Sequence, residues 1–360
     1  MPTQFHNPVA IHFGAGSLDR LGELTRDERV VLVTFPEARA LGLVERVQRL
    51  LGERLVQVID NVQPNPDVAW LRGVHEGFWR EHGDCHTVLA LGGGSAIDTA
   101  KALVVGTASG RFDELLALLA SGQAFTPARS KRLIAVPTTA GTGSEVTPWA
   151  TIWDDASQRK YSLHLGCTWP SLAIVDPELM LSAPAGVTLA SGLDALSHAL
   201  EAIWNRNANP ISDTLAESAI GEVLDCLPSL CADLGNRQLR ERMALAALKA
   251  GLAFSNTRTA LAHSISYPMT LRHGVPHGIA CSFTLPHVLG LAWGRDAGRD
   301  RVLQRVFGRD LGAAQARLRG FLQGLGVRTE FADYGVEAAE AELLVAQALK
   351  GARGVNFVGT

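Results

Sequence analysis

The chain has 360 residues, 47% hydrophobic and 19% charged, enough for one large or two medium domains with sizeable cores. Lysine and arginine total 33 against 36 acids, a net charge of -3. No basic run supplies a footprint for nucleic acid or a membrane surface, so a small substrate is the default partner.

In chain order, the N-terminus "MPTQFHNPVAIHFGAG" lacks a basic segment followed by an apolar run. The longest apolar stretches, such as "TLPHVLGLAW", are too short to span a bilayer, and a soluble cytoplasmic protein is expected. Short β-branched runs then alternate with helical patterns: "VAIHF" at 9-13, "VVLVT" at 30-34, "LVQVI" at 55-59, "TVLAL" at 87-91, "LIAVP" at 133-137 and "LAIVD" at 172-176. That alternation predicts a parallel sheet with crossover helices. "FGAGSLDRL" at 13-21 reads as a simple turn. "ATIWDDASQRKYSLHL" places two short β-like runs around a polar turn and predicts a hairpin. After about residue 183 the strand signal stops, and "AGVTLASGLDALSHALEAIW", "ISDTLAESAIGEVLDCL", "LRERMALAALKAGLAFS" and "AAEAELLVAQALKG" all carry helical spacing. The predicted domains are therefore 1-182, an α/β dinucleotide-binding domain, and 183-360, an all-helical domain. The linking "LSAPAGV" is short, so a ligand cleft between the two is expected.

Five cysteines (Cys85, Cys167, Cys226, Cys231, Cys281) are scattered without CxxC pairs, and are read as buried small hydrophobes.

Three motifs carry chemistry. In "LALGGGSAIDTAKAL", 89-103, an apolar strand runs into Gly92, Gly93, Gly94 and Ser95, with Asp98 and Lys101 on the following helix. Glycines let backbone amides approach a pyrophosphate at a helix N-terminus, although the same residues would also serve a bare strand-to-helix turn. In "VPTTAGTGSEVTP", 136-148, Thr138, Thr139, Thr142 and Ser144 offer hydroxyls that suit a ribose or a nicotinamide amide, or a polar surface loop. Two such loops after sheet strands favour a cofactor site, because ligands of open α/β sheets bind at the carboxyl ends of the strands. In "GLDALSHALEA", 192-202, Asp194 and His198 share one helix face. Leu193, Leu196, Ala199 and Leu200 surround the pair, and an enclosed carboxylate and imidazole need a partner; His263 and His277 are candidates. One carboxylate and three imidazoles suit Fe²⁺ or Zn²⁺ with a position open for a substrate oxygen.

Together "GGGSAIDTAKA", "PTTAGTGSE", "GLDALSHALEA" and the HxxxYx(9)H pattern from 263 to 277 resemble the iron-containing (group III) alcohol dehydrogenases, whose fold is shared with dehydroquinate synthase. The resemblance runs over nearly the whole chain. It implies a Rossmann-like N-terminal domain, an all-α C-terminal domain, and a divalent metal held by Asp194, His198, His263 and His277. It also matches Gly93, Gly94, Ser95, Asp98, Thr138, Thr139, Thr142, Ser144 and Lys160 to positions contacting NAD(H) or NADP(H). The implied activity interconverts a small aldehyde and a primary alcohol, in a homodimer or higher homo-oligomer.

Two departures from the family pattern matter. The second strand runs to Phe35 where an acidic residue often pairs with the adenosine ribose, and its loss removes a repulsion against the 2′-phosphate of NADP(H). Tyr267 stands where many members carry a second histidine near the nicotinamide; a phenol can donate a hydrogen bond or relay a proton but is a poor general base at neutral pH. His273 is a second candidate relay, or an exposed loop histidine. "SYPMTLRHGVPHG" with "EAIWNRNANPISD" resembles the phosphonate-metabolism branch, the phosphonoacetaldehyde reductases. An anionic aldehyde needs fixed donors, for which Arg258 and Arg272 are candidates. The competing readings are a generic alcohol or lactaldehyde dehydrogenase, a dehydroquinate synthase-type lyase, a metal-free maleylacetate reductase and a non-catalytic relative. The complete ligand set argues against the last two, and the lyase's different metal site and strongly basic substrate pocket set it apart from the Asp194/His198 arrangement.

Overall fold

The structure, a computed structural model, describes residues 3-157 and 159-360. It contains two compact units: one formed by Pro8–Thr139 and Ser144–Ser182, the other by Ala183–Thr360 together with Ala140–Gly143 and an N-terminal segment ending at Asn7.

Among the described residues the first unit carries ten strands: β1 Ala10–Phe13, β2 Val30–Thr34, β3 Leu55–Ile59, β4 Thr87–Gly92, β5 Val105–Gly106, β6 Arg129–Ser130, β7 Arg132–Pro137, β8 Ala150–Asp154, β9 Arg159–Leu163 and β10 Leu172–Val175. Its helices are α1 Leu21–Thr25, α2 Leu43–Leu51, α3 Val68–Glu81, α4 Gly94–Leu103 and α5 Phe112–Ser121. Six strands form one parallel sheet in the order β1-β10-β7-β4-β2-β3. All six predicted strand runs lie in it. The β-branched runs are continuous because both sheet faces are covered. Val31, Val33, Val88, Ala90, Leu133 and Ala135 enter one core, while Val30, Leu32, Leu89, Leu91, Ile134 and Val136 enter the other, as the two-residue side-chain period requires. β8 and β9 form the predicted antiparallel hairpin, with Gln158 of its turn outside the described residues. The two-residue ribbon β5-β6 has no periodicity to announce it.

The second unit is helical: α6 Ala185–Ile203, α7 Pro210–Ala232, α8 Arg237–Thr257, α9 Leu261–His273, α10 His277–Ser282, α11 Leu285–Ala292, α12 Ala297–Phe307, α13 Leu311–Gly324 and α14 Ala338–Lys350. No helix among the described residues is long and apolar enough to cross a membrane. α6 is central, with every residue from Gly192 to Ile203 buried. A helix apolar on all sides belongs in a core, and it carries Asp194, His198 and Glu201 into the interior with it. α10 lies against α6 at a contact that only glycine permits: a Cβ on Gly278 would stand 1.8 Å from the Ala190 carbonyl oxygen. This close approach fixes His277, the first residue of α10, beside α6.

Candidate metal centre and cofactor loops

In the helical unit, four predicted ligands and two further side chains form one buried cluster. Asp194 Oδ1 lies 3.3 Å from His263 Nε2 and 3.8 Å from His198 Nε2. The His198 and His263 rings stack at 4.5 Å, the His263 and His277 rings meet edge-on at 5.6 Å, and Phe254 backs His198 at 4.0 Å. Helical spacing supplies the first pair, since residues four apart share a face. α9 brings in His263. Its C-terminus at His273, Gly274 in the left-handed region and Pro276 as the N-cap of α10 then turn the chain so that His277 returns to the same place.

Two acceptors set the tautomers. His263 Nδ1 is 2.7 Å from Glu201 Oε2, and His198 Nδ1 is 3.4 Å from the Gly141 carbonyl oxygen. A carboxylate and a carbonyl can only accept, so each ring donates from Nδ1 and turns Nε2 to the cluster. This is the arrangement a metal-ligating imidazole needs. Burial opposes a charged His263, but Cys281, Glu201 and Asp194 outweigh it and raise this imidazole well above its ordinary value, so without an ion its Nε2 also carries a proton. The Glu201 carboxylate also accepts from the backbone amides of Ala260, at 2.8 Å, and His263, at 3.1 Å. Burial raises the Glu201 carboxyl, but the neighbouring imidazole and these hydrogen bonds reverse the shift and hold it below its ordinary value. Burial pushes the His198 imidazole down to about 4 despite Asp194, so it is neutral at pH 7. Burial also raises the Asp194 carboxyl, and the imidazoles of His198, His263 and His277 more than reverse this, leaving it ionised.

The residues fit a divalent ion. Asp194 Oδ1 and His263 Nε2 are both buried and 3.3 Å apart, and neither makes a well-formed hydrogen bond among the described residues. Two facing acceptor atoms would repel unless a cation or a proton stood between them. The most tightly grouped donors are those of Asp194, His263, His277 and Cys281, all within 4.8 Å of one another, with His198 alongside. Cys281 corrects the sequence reading. It is buried, but it is not an inert small hydrophobe: its Sγ is 3.5 Å from His277 Nε2. Burial raises the thiol, but the adjoining His263 and His277 outweigh this and lower it to about 7. Cys167 and Cys231 are only half-buried.

The remaining residues of the 263-277 stretch separate. The Tyr267 ring stacks beside His277 at 6.1 Å, and burial raises its phenol, which therefore stays protonated. His273 is the last residue of α9 rather than part of a loop, half-buried, with Nε2 3.2 Å from Glu340 Oε1 on α14. Arg272 and Arg258 are exposed. Sequence reasoning missed Glu201, Cys281 and Arg353, the last of which places its guanidinium 4.7 Å above the Tyr267 ring.

In the α/β unit, β4 ends at Gly92 (φ +156°), where a Cβ would stand 2.7 Å from the Ala96 Cβ. Gly93 caps α4, and Gly94 and Ser95 open it, so their amides belong to the helix turn without intrahelical acceptors. The Thr138 amide donates to the Gly92 carbonyl at 3.0 Å, and Thr139 stands against Gly93, joining the two loops. Ser95 Oγ accepts from the Asn65 amide at 3.1 Å. Asp98 accepts from Ser144 Oγ at 2.7 Å and from the Thr151 amide at 2.9 Å. Lys101 Nζ donates to Ser144 O, Ser144 Oγ and Trp149 O at 2.7, 2.8 and 2.7 Å. Lys160 is half-buried on β9, opposite Trp153, and Thr142 clusters with the helical unit. Phe35 directly follows β2 and packs towards Gly92.

A parallel-sheet unit with glycine loops after β4 and β7, and a helical unit with a buried carboxylate-imidazole cluster, are features that suit a dehydrogenase with a metal site. The pattern of the iron-containing alcohol dehydrogenases matches residues 8-177, and that of the Fe-containing alcohol dehydrogenase family C-terminal region matches residues 188-357. The chain belongs to the iron-containing alcohol dehydrogenase family and is an oxidoreductase of the iron-type alcohol dehydrogenase kind. It is 34% identical to the NAD-dependent methanol dehydrogenase of Bacillus methanolicus over 366 residues, spanning 97% of this chain and 93% of that protein. It is 34% identical to the 1,3-propanediol dehydrogenase of Citrobacter freundii over 288 residues, 78% of this chain and 73% of the relative. The solved sulfoacetaldehyde reductase of Bifidobacterium kashiwanohense, in complex with NAD+, superposes with a TM-score of 0.90 at 30% identity, covering 99% of this chain and 94% of that one.

Proposed function

We propose that this enzyme reduces a short aldehyde bearing a phosphonate or sulfonate group to the primary alcohol, using NADH or NADPH and a divalent ion, Fe²⁺ or Zn²⁺. The observation that carries the metal-dependent chemistry is the facing pair of orphaned atoms, Asp194 Oδ1 and His263 Nε2, 3.3 Å apart in a buried cluster. The anionic substrate is supported by the likeness of residues 266-278 together with 201-213 to the phosphonoacetaldehyde reductases and by the sulfoacetaldehyde reductase neighbour.

Asp194, His198, His263 and His277 would hold the ion, with Cys281 near enough to join them. When bound, the ion supplies Lewis acidity to the carbonyl oxygen and the reduced nicotinamide supplies the hydride. Glu201 and the Gly141 carbonyl hold His263 and His198 in the ligating tautomer. Tyr267, protonated and beside His277, donates to the oxygen that becomes the alcohol hydroxyl and is reprotonated from solvent. Gly92, Gly93, Gly94 and Ser95 would receive the cofactor pyrophosphate, with Thr138, Thr139, Thr142, Ser144, Asp98 and Lys160 around the remainder. Asp98 and Ser144 would act mainly by shaping the loop, since they bond to each other. Phe35, which carries no charge to repel a 2′-phosphate, supports use of NADPH as well as NADH.

The test is metal analysis of the purified enzyme, followed by NADH and NADPH oxidation with phosphonoacetaldehyde, sulfoacetaldehyde, acetaldehyde and butyraldehyde. The expected result is metal-dependent turnover with the highest kcat/KM on the anionic aldehydes. Equal rates on all four would leave a generic alcohol dehydrogenase, and neither metal nor turnover would overturn the reading.

A further inference from the structure

We propose that Arg353 is the residue that binds the anionic end of the substrate, an inference that rests on the anionic-aldehyde reading above. Arg353 lies just beyond α14, where the chain returns to α9. Its guanidinium sits 4.7 Å above the Tyr267 ring, and that ring stacks beside His277 of the metal cluster. A fixed positive charge therefore stands one aromatic ring away from a metal ligand. In phosphonoacetaldehyde or sulfoacetaldehyde a single methylene separates the carbonyl carbon from the phosphorus or sulfur, so such a substrate calls for a cation close to the group that polarises its carbonyl.

The side chain is held in place and still has donors to offer. Arg353 Nε donates to Thr259 Oγ1 at 2.8 Å. Among the described residues no carboxylate pairs with this guanidinium, and its Nη1 and Nη2 groups make no hydrogen bond. The two nitrogens left over form the planar fork that matches two oxygens of a phosphonate or sulfonate. The backbone around it is braced: Asn356 Nδ2 donates to the Thr259 carbonyl at 2.9 Å, and the Arg206 amide donates to the Asn356 carbonyl at 2.8 Å. Gly354 packs so tightly that a Cβ would fall 2.1 Å from the Ala348 carbonyl oxygen. A donor fixed before the ligand arrives loses less conformational freedom on binding. Arg258 and Arg272, the arginines the sequence singled out, are exposed by contrast, and water competes for their charge.

The experiment compares kcat/KM for sulfoacetaldehyde and for propionaldehyde in the holoenzyme and in Arg353→Met, Arg353→Lys and Thr259→Val. Loss of a hydrogen-bonded pair with a charged group lowers the anionic-to-neutral specificity ratio about 10- to 100-fold. The loss is expected mainly in KM, with partial recovery in Arg353→Lys and a smaller fall in Thr259→Val. Should Arg353→Met fold poorly, the lysine and Thr259→Val variants carry the same ratio test. An equal fall on both substrates would make Arg353 a prop for Tyr267, and an unchanged ratio would also overturn the proposal. A wild type that reduces propionaldehyde with no advantage for sulfoacetaldehyde defeats Arg353 while aldehyde reduction stands. If no aldehyde turns over, the functional reading fails by itself. Calorimetry with 2-hydroxyethylsulfonate then decides the anion site: binding lost in Arg353→Met supports it, and no binding to the wild type overturns it.

Discussion

Lys101 in the α/β unit and Asp194 in the helical unit are both buried charged side chains, yet their surroundings differ in kind. Lys101 spends its three N–H donors on Ser144 O, Ser144 Oγ and Trp149 O, and Ser144 in turn bonds Asp98. The Lys101 charge is thus answered entirely from within the chain. Asp194 Oδ1 and His263 Nε2 face each other at 3.3 Å without a well-formed hydrogen bond to any described residue. A closed polar network braces a loop, whereas an open one stores a demand that an ion or substrate answers. Residues that look alike in sequence, each polar within an apolar helix, thus divide into scaffold and site.

The largest effect separates the two at once. Asp194→Asn is expected to abolish stoichiometric metal and to lower kcat/KM by at least about 10³-fold, several kcal/mol of lost charge stabilisation. The metal-free variant should also lose some stability to denaturant at pH 7 relative to the metal-free wild type, because the surrounding imidazoles hold the Asp194 carboxyl below its ordinary value. Retained metal with full activity would erase the contrast. Lys101→Met should do the reverse, costing about 3-5 kcal/mol in denaturant titration by stranding three buried acceptors, with metal content unchanged.

The closed network has a pH signature of its own. Burial pushes the Glu145 carboxyl up to about 7, with Lys101 only partly offsetting it. Between the unfolded value of 4.5 and pH 7 the folded chain holds a proton that the unfolded chain has released. Stability contributed by the protonated group is therefore full below pH 4.5 and is lost as pH rises through 7, by up to about 3 kcal/mol. Lys101, lowered by burial to about 8, acts in the opposite sense above that pH, where only the unfolded chain stays protonated. Denaturant midpoints of Glu145→Gln across pH 4.5-7 should be flatter than those of the wild type, and an identical slope would assign it to other groups.

What the sequence made legible follows from how local each signal is. The sheet strands are continuous β-branched runs because both faces are covered, and their bounds fall close to the predicted ones. Asp194 and His198 are four residues apart on one helix, and His263 and His277 stand out for their chemistry. Glu201 lay inside the quoted "GLDALSHALEA" motif and could have been found, since seven residues from Asp194 is two helical turns on the same face. Cys281 is likewise four residues from His277 on α10. Arg353 had no such local mark. It meets Tyr267 from 86 positions further along the chain, and only the packing of the segment after α14 against the start of α9 brings them together. His273 was expected in a loop, but α9 continues past Pro268 to Gly274 and gives it Glu340 as a partner.

The smallest effect probes the boundary between the two kinds of environment. Glu201 is fully satisfied, like Lys101, yet it serves the open cluster by accepting the His263 Nδ1 proton at 2.7 Å. If it only braced α9, Glu201→Gln would keep its shape and its acceptor oxygen, and metal binding would not change. If it orients His263 and raises the basicity of Nε2, removing its charge should weaken metal affinity about 10- to 100-fold, read by competition with a chelator of known affinity. The amide also brings an N–H into a pocket where the carboxylate accepted from Ala260 and His263, so stability of the metal-free protein should be measured alongside. A loss of stability with affinity intact would place Glu201 with the scaffold, whereas weakened affinity at equal stability would make it part of the metal centre.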